Sequence, residues 1–141
     1  MSVIGDTSGI LAALDRSHPA HKECLEAVRT AEAVVVSPLV LAELDYMITT
    51  RFGYSAALAF LGEVERGVYE IADVGRDQVL VAKGVLDRYA SLPLGLADAV
   101  NVVLADSLGT DRILTLDQRH FRAVAPMTGR FAAFRLTPFD D

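Results

Sequence analysis

Apolar residues fall along this chain in two rhythms. Short β-branched runs such as "SVIGD" near the start and "AVVVS" at 33–37 have the length and composition of buried strands. Longer stretches repeat an apolar residue every three or four positions, as a helix with one buried face requires. "SGILAALDR" reads as a short helix, and "HPAHKECLEAVRTAE" as a second with Pro19 in its first turn. "SPLVLAELDYMITTRF" reads as a third, with Ser37 as N-cap and Pro38 at the first helical position. Helical patterns over 54–66 and 75–90 flank a short "VYEIADV" strand. "GLADAVNVVLADSLG" is a further helix closed by Gly109, "DRILTLD" a strand, and "RFAAFRL" the last strand.

Strands separated by helices predict an α/β fold with a mainly parallel sheet, because parallel neighbours need crossover connections. No repeat, low-complexity tract or linker divides the chain, so residues 1–141 are expected to form a single domain with one core. In such sheets ligands gather beyond the carboxyl ends of the strands. Asp6 and Asp117 both fall at such ends.

Composition adds a few exclusions. The chain is 52% hydrophobic, too apolar to remain disordered. No stretch reaches the ~18 uninterrupted apolar residues of a membrane span, and the first residues lack the basic start and long apolar run of a secretory signal, so a cytoplasmic protein is expected. One cysteine, Cys24, excludes an internal disulfide. The net charge of −6 disfavours a generic nucleic-acid binder, although five arginines against one acid between Arg112 and Arg135 leave room for a local basic surface.

The acids carry most of the chemical information. Glu23, Glu26, Glu63, Glu65, Asp77 and Asp87 sit among polar neighbours and read as solvated helix faces. Asp6 and Asp117 instead end apolar strands, Asp98 interrupts "LPLGLADAVNVVLA", and Glu43 shares a helix with apolar residues three and four positions away, so it is expected to point with the apolar stripe. Any one of them has a structural alternative: Asp98 near a helix start, or Asp117 capping the turn into "QRHF". Burying several carboxylates together is costly, and a hard divalent cation such as Mg²⁺ or Mn²⁺, which takes oxygen ligands, reverses that cost. The four acids together therefore predict a metal pocket.

"DTSGIL", "SPLVLAELDYMI", "GLADAVNVVLA" and "ILTLDQRHF", in that order, resemble PIN-domain ribonucleases, and most of all the VapC toxins of bacterial toxin–antitoxin pairs. The resemblance spans nearly the whole chain and implies a three-layer sandwich around a parallel sheet. It implies Mg²⁺- or Mn²⁺-dependent cleavage of RNA, with Asp6, Glu43, Asp98 and Asp117 as the matching catalytic and metal-binding acids. Where some relatives carry a further acid, this chain has Asn101. Hydrolysis by water activated at the ion would leave a 5′-phosphate and a 3′-hydroxyl. Ser8 and Thr115 are candidates to fix a carboxylate by hydrogen bonding, Ser8 having a helix cap as its alternative. Arg112, Arg119 and Arg122 are candidate RNA phosphate contacts. The resemblance also implies a homodimer held inactive by a small antitoxin, for which the apolar side chains of "YSAALAFLGEV" are a candidate contact.

Other readings fare worse. A zinc site from His18, His21 and Cys24 lacks a fourth ligand. An aspartyl phosphatase would need a second acid where Ser8 stands, and a receiver domain a late lysine, whereas the last lysine is Lys83. A solitary RNA-processing nuclease, or an inactive PIN-like binding module, remains as the alternative.

Overall fold

The computed structural model describes residues 1–141 and sets five parallel strands in the order β3-β2-β1-β4-β5. β1 (Ser2–Gly5) leads to α1 (Thr7–Leu14) and α2 (His21–Thr30), and β2 (Ala33–Val36) to α3 (Pro38–Phe52) and α4 (Tyr54–Glu65). β3 (Glu70–Ile71), α5 (Arg76–Arg88) and α6 (Leu96–Leu108) follow, then β4 (Arg112–Leu114), α7 (Gln118–Ala123) and β5 (Arg135–Thr137). The parallel α/β sheet expected from the alternating pattern is present, with helices flanking it as the resemblance implies.

The two-residue period of the strands divides the interior in two. Val3, Val34, Val36 and Leu114 face a core shared with α1, α3 and α4. Ile4, Val35, Ile113 and Leu136 face the other, built against α5, α6 and α7. Helix α6 is buried over the seven consecutive residues Ala99–Ala105, and small side chains at both ends of that run let it lie close to the sheet.

Topology places the site. The chain runs outward from β1 through β2 to β3, then crosses back to lay β4 on the other flank of β1, with Ile4 opposite Ile113 and Gly5 opposite Leu114. The strand order therefore reverses between β1 and β4, where a crevice opens at the carboxyl ends. The Asp6 amide donates to the Leu114 carbonyl at 2.9 Å and extends this pairing by one residue. A Cβ on Gly9 would lie 2.5 Å from the same carbonyl oxygen, so α1 approaches β4 only because residue 9 has no side chain.

Several boundaries differ from the sequence expectation. β4 ends at Leu114 rather than Asp117, and β5 covers only the end of "RFAAFRL". Pro19 lies outside α2, whose N-cap is Ala20. The short helix α7 was not expected. Ser37 does cap α3, accepting the Leu39 amide at 3.1 Å with Pro38 next to it, and Gly109 closes α6 at φ 64°. No helix is long and apolar enough to cross a membrane.

Candidate functional site

At the β1/β4 crevice a cavity of about 480 Å³ is lined by Asp6, Glu43, Asp98 and Asp117, together with Thr7, Ser8, Leu11, Met47 and the basic residues His18 and Arg51. Four acids separated by up to 111 positions thus open onto one space.

Asp6 forms its floor. It is 7% exposed, and both carboxylate oxygens accept hydrogen bonds: Oδ2 from Thr115 Oγ1 at 2.7 Å, Oδ1 from Asn101 Nδ2 at 3.3 Å. The single Thr115 hydroxyl proton is committed to Asp6, so Ser8 Oγ, 3.2 Å away, donates to Thr115 while accepting the Leu116 amide at 2.9 Å. Thr115 Oγ1 also accepts the Asp117 amide at 2.9 Å, so one hydroxyl ties two of the acids to the end of β4. Ser8 makes no cap, and reaches Asp6 only through Thr115.

Burial pushes the Asp6 pKa up from its ordinary 3.8 to about 6, with the neighbouring charges of Asp98 and Asp117 adding to it and the Thr115 hydrogen bond opposing it. Asp98 is also raised, chiefly by burial, against the Gly95 amide that its Oδ2 accepts at 3.1 Å. That bond makes Asp98 a cap for α6, and Asp117 caps α7 by accepting the His120 amide at 3.1 Å. Capping and convergence coexist here: each first helical turn aims its acid at the crevice.

His120 enters the cluster without having been assigned a role from sequence. Its Nδ1 lies 2.7 Å from Asp117 Oδ2 and 3.7 Å from Asp98 Oδ2. Asp98, Asp117 and His120 present ligand atoms all within 4.8 Å of one another. The buried Asn101 Oδ1 and His120 Nε2 have no hydrogen-bond partner. Mutually repelling carboxylates, a spare amide oxygen and one imidazole make an oxygen-rich donor set that fits a hard divalent cation.

The profile of the PIN-domain family matches residues 3–126. Over 130 residues the chain is 45% identical to Ribonuclease VapC26 of Mycobacterium tuberculosis, covering 90% of this chain and 95% of the relative. The chain is a PIN domain of the VapC family. Solved structures of similar fold include VapC20 of Mycobacterium tuberculosis, described as a Sarcin-Ricin loop cleaving toxin, with TM-score 0.77 and 21% identity over 86% of this chain and 94% of that one. VapBC2 of Rickettsia felis, bound to a DNA fragment from its promoter, gives 0.66 and 18% over 88% and 93%. A toxin–antitoxin complex from Klebsiella pneumoniae gives 0.67 and 16% over 92% and 98%.

In this PIN domain Glu43 does not point with the apolar stripe of α3. Val40, Leu44 and Ile48 form that stripe, and Glu43 is exposed at the edge of the cavity, where Thr7 Oγ1 donates to its Oε1 at 3.2 Å. The arginines disperse. Arg112 begins β4, so it lies at the amino edge of the sheet and lines a separate cavity with Arg135, Glu23 and Glu26. Arg122 is clamped to both oxygens of Asp140, each at 2.7 Å, and is not free for phosphate. Arg119 is exposed on α7, one residue from His120. His21 Nδ1 pairs with the Ala12 carbonyl and Cys24 is wholly buried, so the pair is structural. Phe121 is core, edge-on to Phe134. His18, weighed in sequence only as a zinc ligand, and Arg51, not singled out there, both line the PIN-domain cavity. The signal for Arg51 was there: Glu43, Met47 and Arg51 recur every fourth residue on one helix face.

Proposed function

We propose that this PIN domain is a Mg²⁺- or Mn²⁺-dependent endoribonuclease acting as the toxin of a toxin–antitoxin pair. The observation that carries the reading is the opening of Asp6, Glu43, Asp98 and Asp117 onto one crevice, with Asp6 held at a raised pKa by burial and by its neighbours' charge. Likeness to a relative named a ribonuclease supports the substrate class.

A divalent cation bound there would supply Lewis-acid chemistry, lowering the pKa of water and offsetting charge on phosphate oxygens. Asp6 and Asp98 would be its principal protein ligands, with Asp117 and the Asn101 amide oxygen nearby. Thr115 holds the Asp6 carboxylate in one rotamer through its 2.7 Å bond, and the Ser8 hydroxyl orients Thr115 in turn. His120 fixes the Asp117 carboxylate from ring and backbone together. Glu43, exposed at the cavity's edge and bonded by Thr7, would orient the attacking water and accept its proton at a carboxylate oxygen. Cleavage of the bond to the 3′ oxygen would leave a 5′-phosphate and a 3′-hydroxyl.

Two solved neighbours are toxin–antitoxin complexes, which supports an antitoxin as partner. The apolar cavity of about 280 Å³ between α1, α3 and α4, lined in part by exposed Phe52, suits such a contact. A homodimer acting in the cytoplasm belongs to the same reading.

The test is incubation of purified protein with structured RNA, with and without Mg²⁺ or Mn²⁺. Wild type is expected to cleave only with metal, and Asp6→Asn or Asp98→Asn to lose ~100-fold or more of that rate. Equal cleavage by Asp6→Asn and wild type would overturn the reading.

A further inference from the structure

The acidic crevice has a basic end. Arg51 is exposed in the last turn of α3, enters none of the molecule's five ion pairs, and lines the same cavity as the acids. His18, between α1 and α2, lines it too. The His18 ring has a defined hydrogen arrangement: Nδ1 accepts the Ala20 amide at 3.0 Å, so Nε2 carries the hydrogen and is a donor. An unpaired guanidinium and an imidazole with its donor nitrogen assigned thus share one space with the four acids and the hydroxyls of Thr7 and Ser8.

Spacing along α3 gives the cavity a scale. Glu43, Met47 and Arg51 follow one another on one face, and eight residues at 1.5 Å each put Arg51 about 12 Å along the axis from Glu43. A stacked nucleic-acid strand advances about 3.4 Å per nucleotide, so that interval holds roughly three nucleotides, fewer if the strand is extended. Met47, half-buried between the two charged residues, offers an apolar, polarisable surface suited to a ribose or base rather than to a phosphate.

We propose that Arg51 and His18 form a phosphate-gripping subsite that holds the RNA backbone two to three nucleotides away from the scissile phosphate, with Met47 beneath the intervening nucleotide. The proposal rests on the ribonuclease reading and deepens it: the substrate is a single strand laid along α3 from the carboxylates toward the basic end. It also accounts for RNA binding by a chain of net charge −6 without the arginines of the carboxyl-terminal part, since two donors at one end of the cavity steer the strand while the acids await a cation.

The experiment measures steady-state cleavage of fluorescent single-stranded oligonucleotides, extended one nucleotide at a time on either side of the cut, over a series of salt concentrations at fixed Mg²⁺. Arg51→Ala is expected to raise KM about tenfold with a much smaller change in kcat, and to reduce the slope of log kcat/KM against log salt by about one. It should also abolish the gain in wild-type affinity on extending one side past the second or third nucleotide. His18→Ala should raise KM, and His18→Gln, which keeps a donor near Nε2, should recover part of the loss. Arg29→Ala removes an exposed arginine outside the cavity and should change none of these. An unchanged salt slope and an undiminished extension gain in Arg51→Ala would overturn the subsite, leaving the basic end to an acidic protein segment. If wild type cleaves neither these oligonucleotides nor structured RNA, the ribonuclease reading falls by itself. Fluorescence anisotropy of the same oligonucleotides then decides the subsite alone: Arg51-dependent binding supports it, and binding indifferent to Arg51 overturns it.

Discussion

Asp6 costs the fold stability in its ionised form, as the proposed ligand role would require. A carboxylate whose pKa is raised from 3.8 to about 6 is disfavoured in the folded state whenever it is ionised, by an amount corresponding to roughly 3 kcal/mol. Because the folded form binds the proton more tightly than the unfolded chain, the penalty is complete above about pH 6, shrinks as pH falls and is gone below about pH 4. Asp6→Asn should therefore stabilise metal-free protein at pH 7.5 by about 1–2 kcal/mol, part of the gain being lost to poorer pairing with Thr115 and Asn101. Denaturant titrations at pH 7.5 and pH 4.5 check this, and the gain should diminish at the lower pH. Thr115→Val keeps the shape and removes the donor to Asp6. It should weaken divalent-ion affinity 10–100-fold by calorimetry, a loss that a residue serving only the core would not produce. At this scale the sequence was informative about the acids, because an acid at the end of an apolar run is conspicuous. It was uninformative about the arginines, because linear proximity of Arg112 to Asp117 hides that a strand's two ends lie on opposite edges of the sheet.

Among the elements, α1 carries the tightest constraint. Gly9 lets it rest on the Leu114 carbonyl, which places Ser8 beside Thr115 and Thr7 beside Glu43. Gly9→Ala would raise helix propensity and yet is expected to cost about 1–3 kcal/mol by forcing α1 away from β4, read as a fall in the denaturation midpoint. Cleavage should fall further than stability explains, since the hydroxyl chain to Asp6 would be stretched. The larger helices were legible because each has a long apolar period and, for α3 and α6, a residue that starts or stops it. Helix α7 was hidden because six residues are too few to show a period, and the true lengths of β4 and β5 because strand pairing, not composition, decides where a short strand ends. For Glu43 the helix was right and the facing was not: a residue three or four positions from apolar neighbours can still sit beside their stripe, at its wet margin.

For the whole molecule the reversal of strand order between β1 and β4 matters most, since it gathers the amino-terminal acid and the two late ones on one edge. Alternating strands and helices foretold that edge, whereas the strand order itself depends on packing that no single segment records. A cation bridging elements from both halves should bind folded protein alone. Saturating Mg²⁺ is therefore expected to stabilise wild type by about 2.7 kcal/mol at a hundredfold excess over Kd, read as a higher midpoint of thermal unfolding, and to leave Asp6→Asn unmoved in a calorimetric scan. The bond from Thr115 to Asp6 closes a loop of 109 residues. A linkage that long is expected to form late, because its loop-closure entropy must be met before the contact rewards it. Partly folded chains would then be inert, and catalytic competence would arrive in one step with completion of the sheet, so that an unfolding curve followed by ion affinity should overlay one followed by backbone signal.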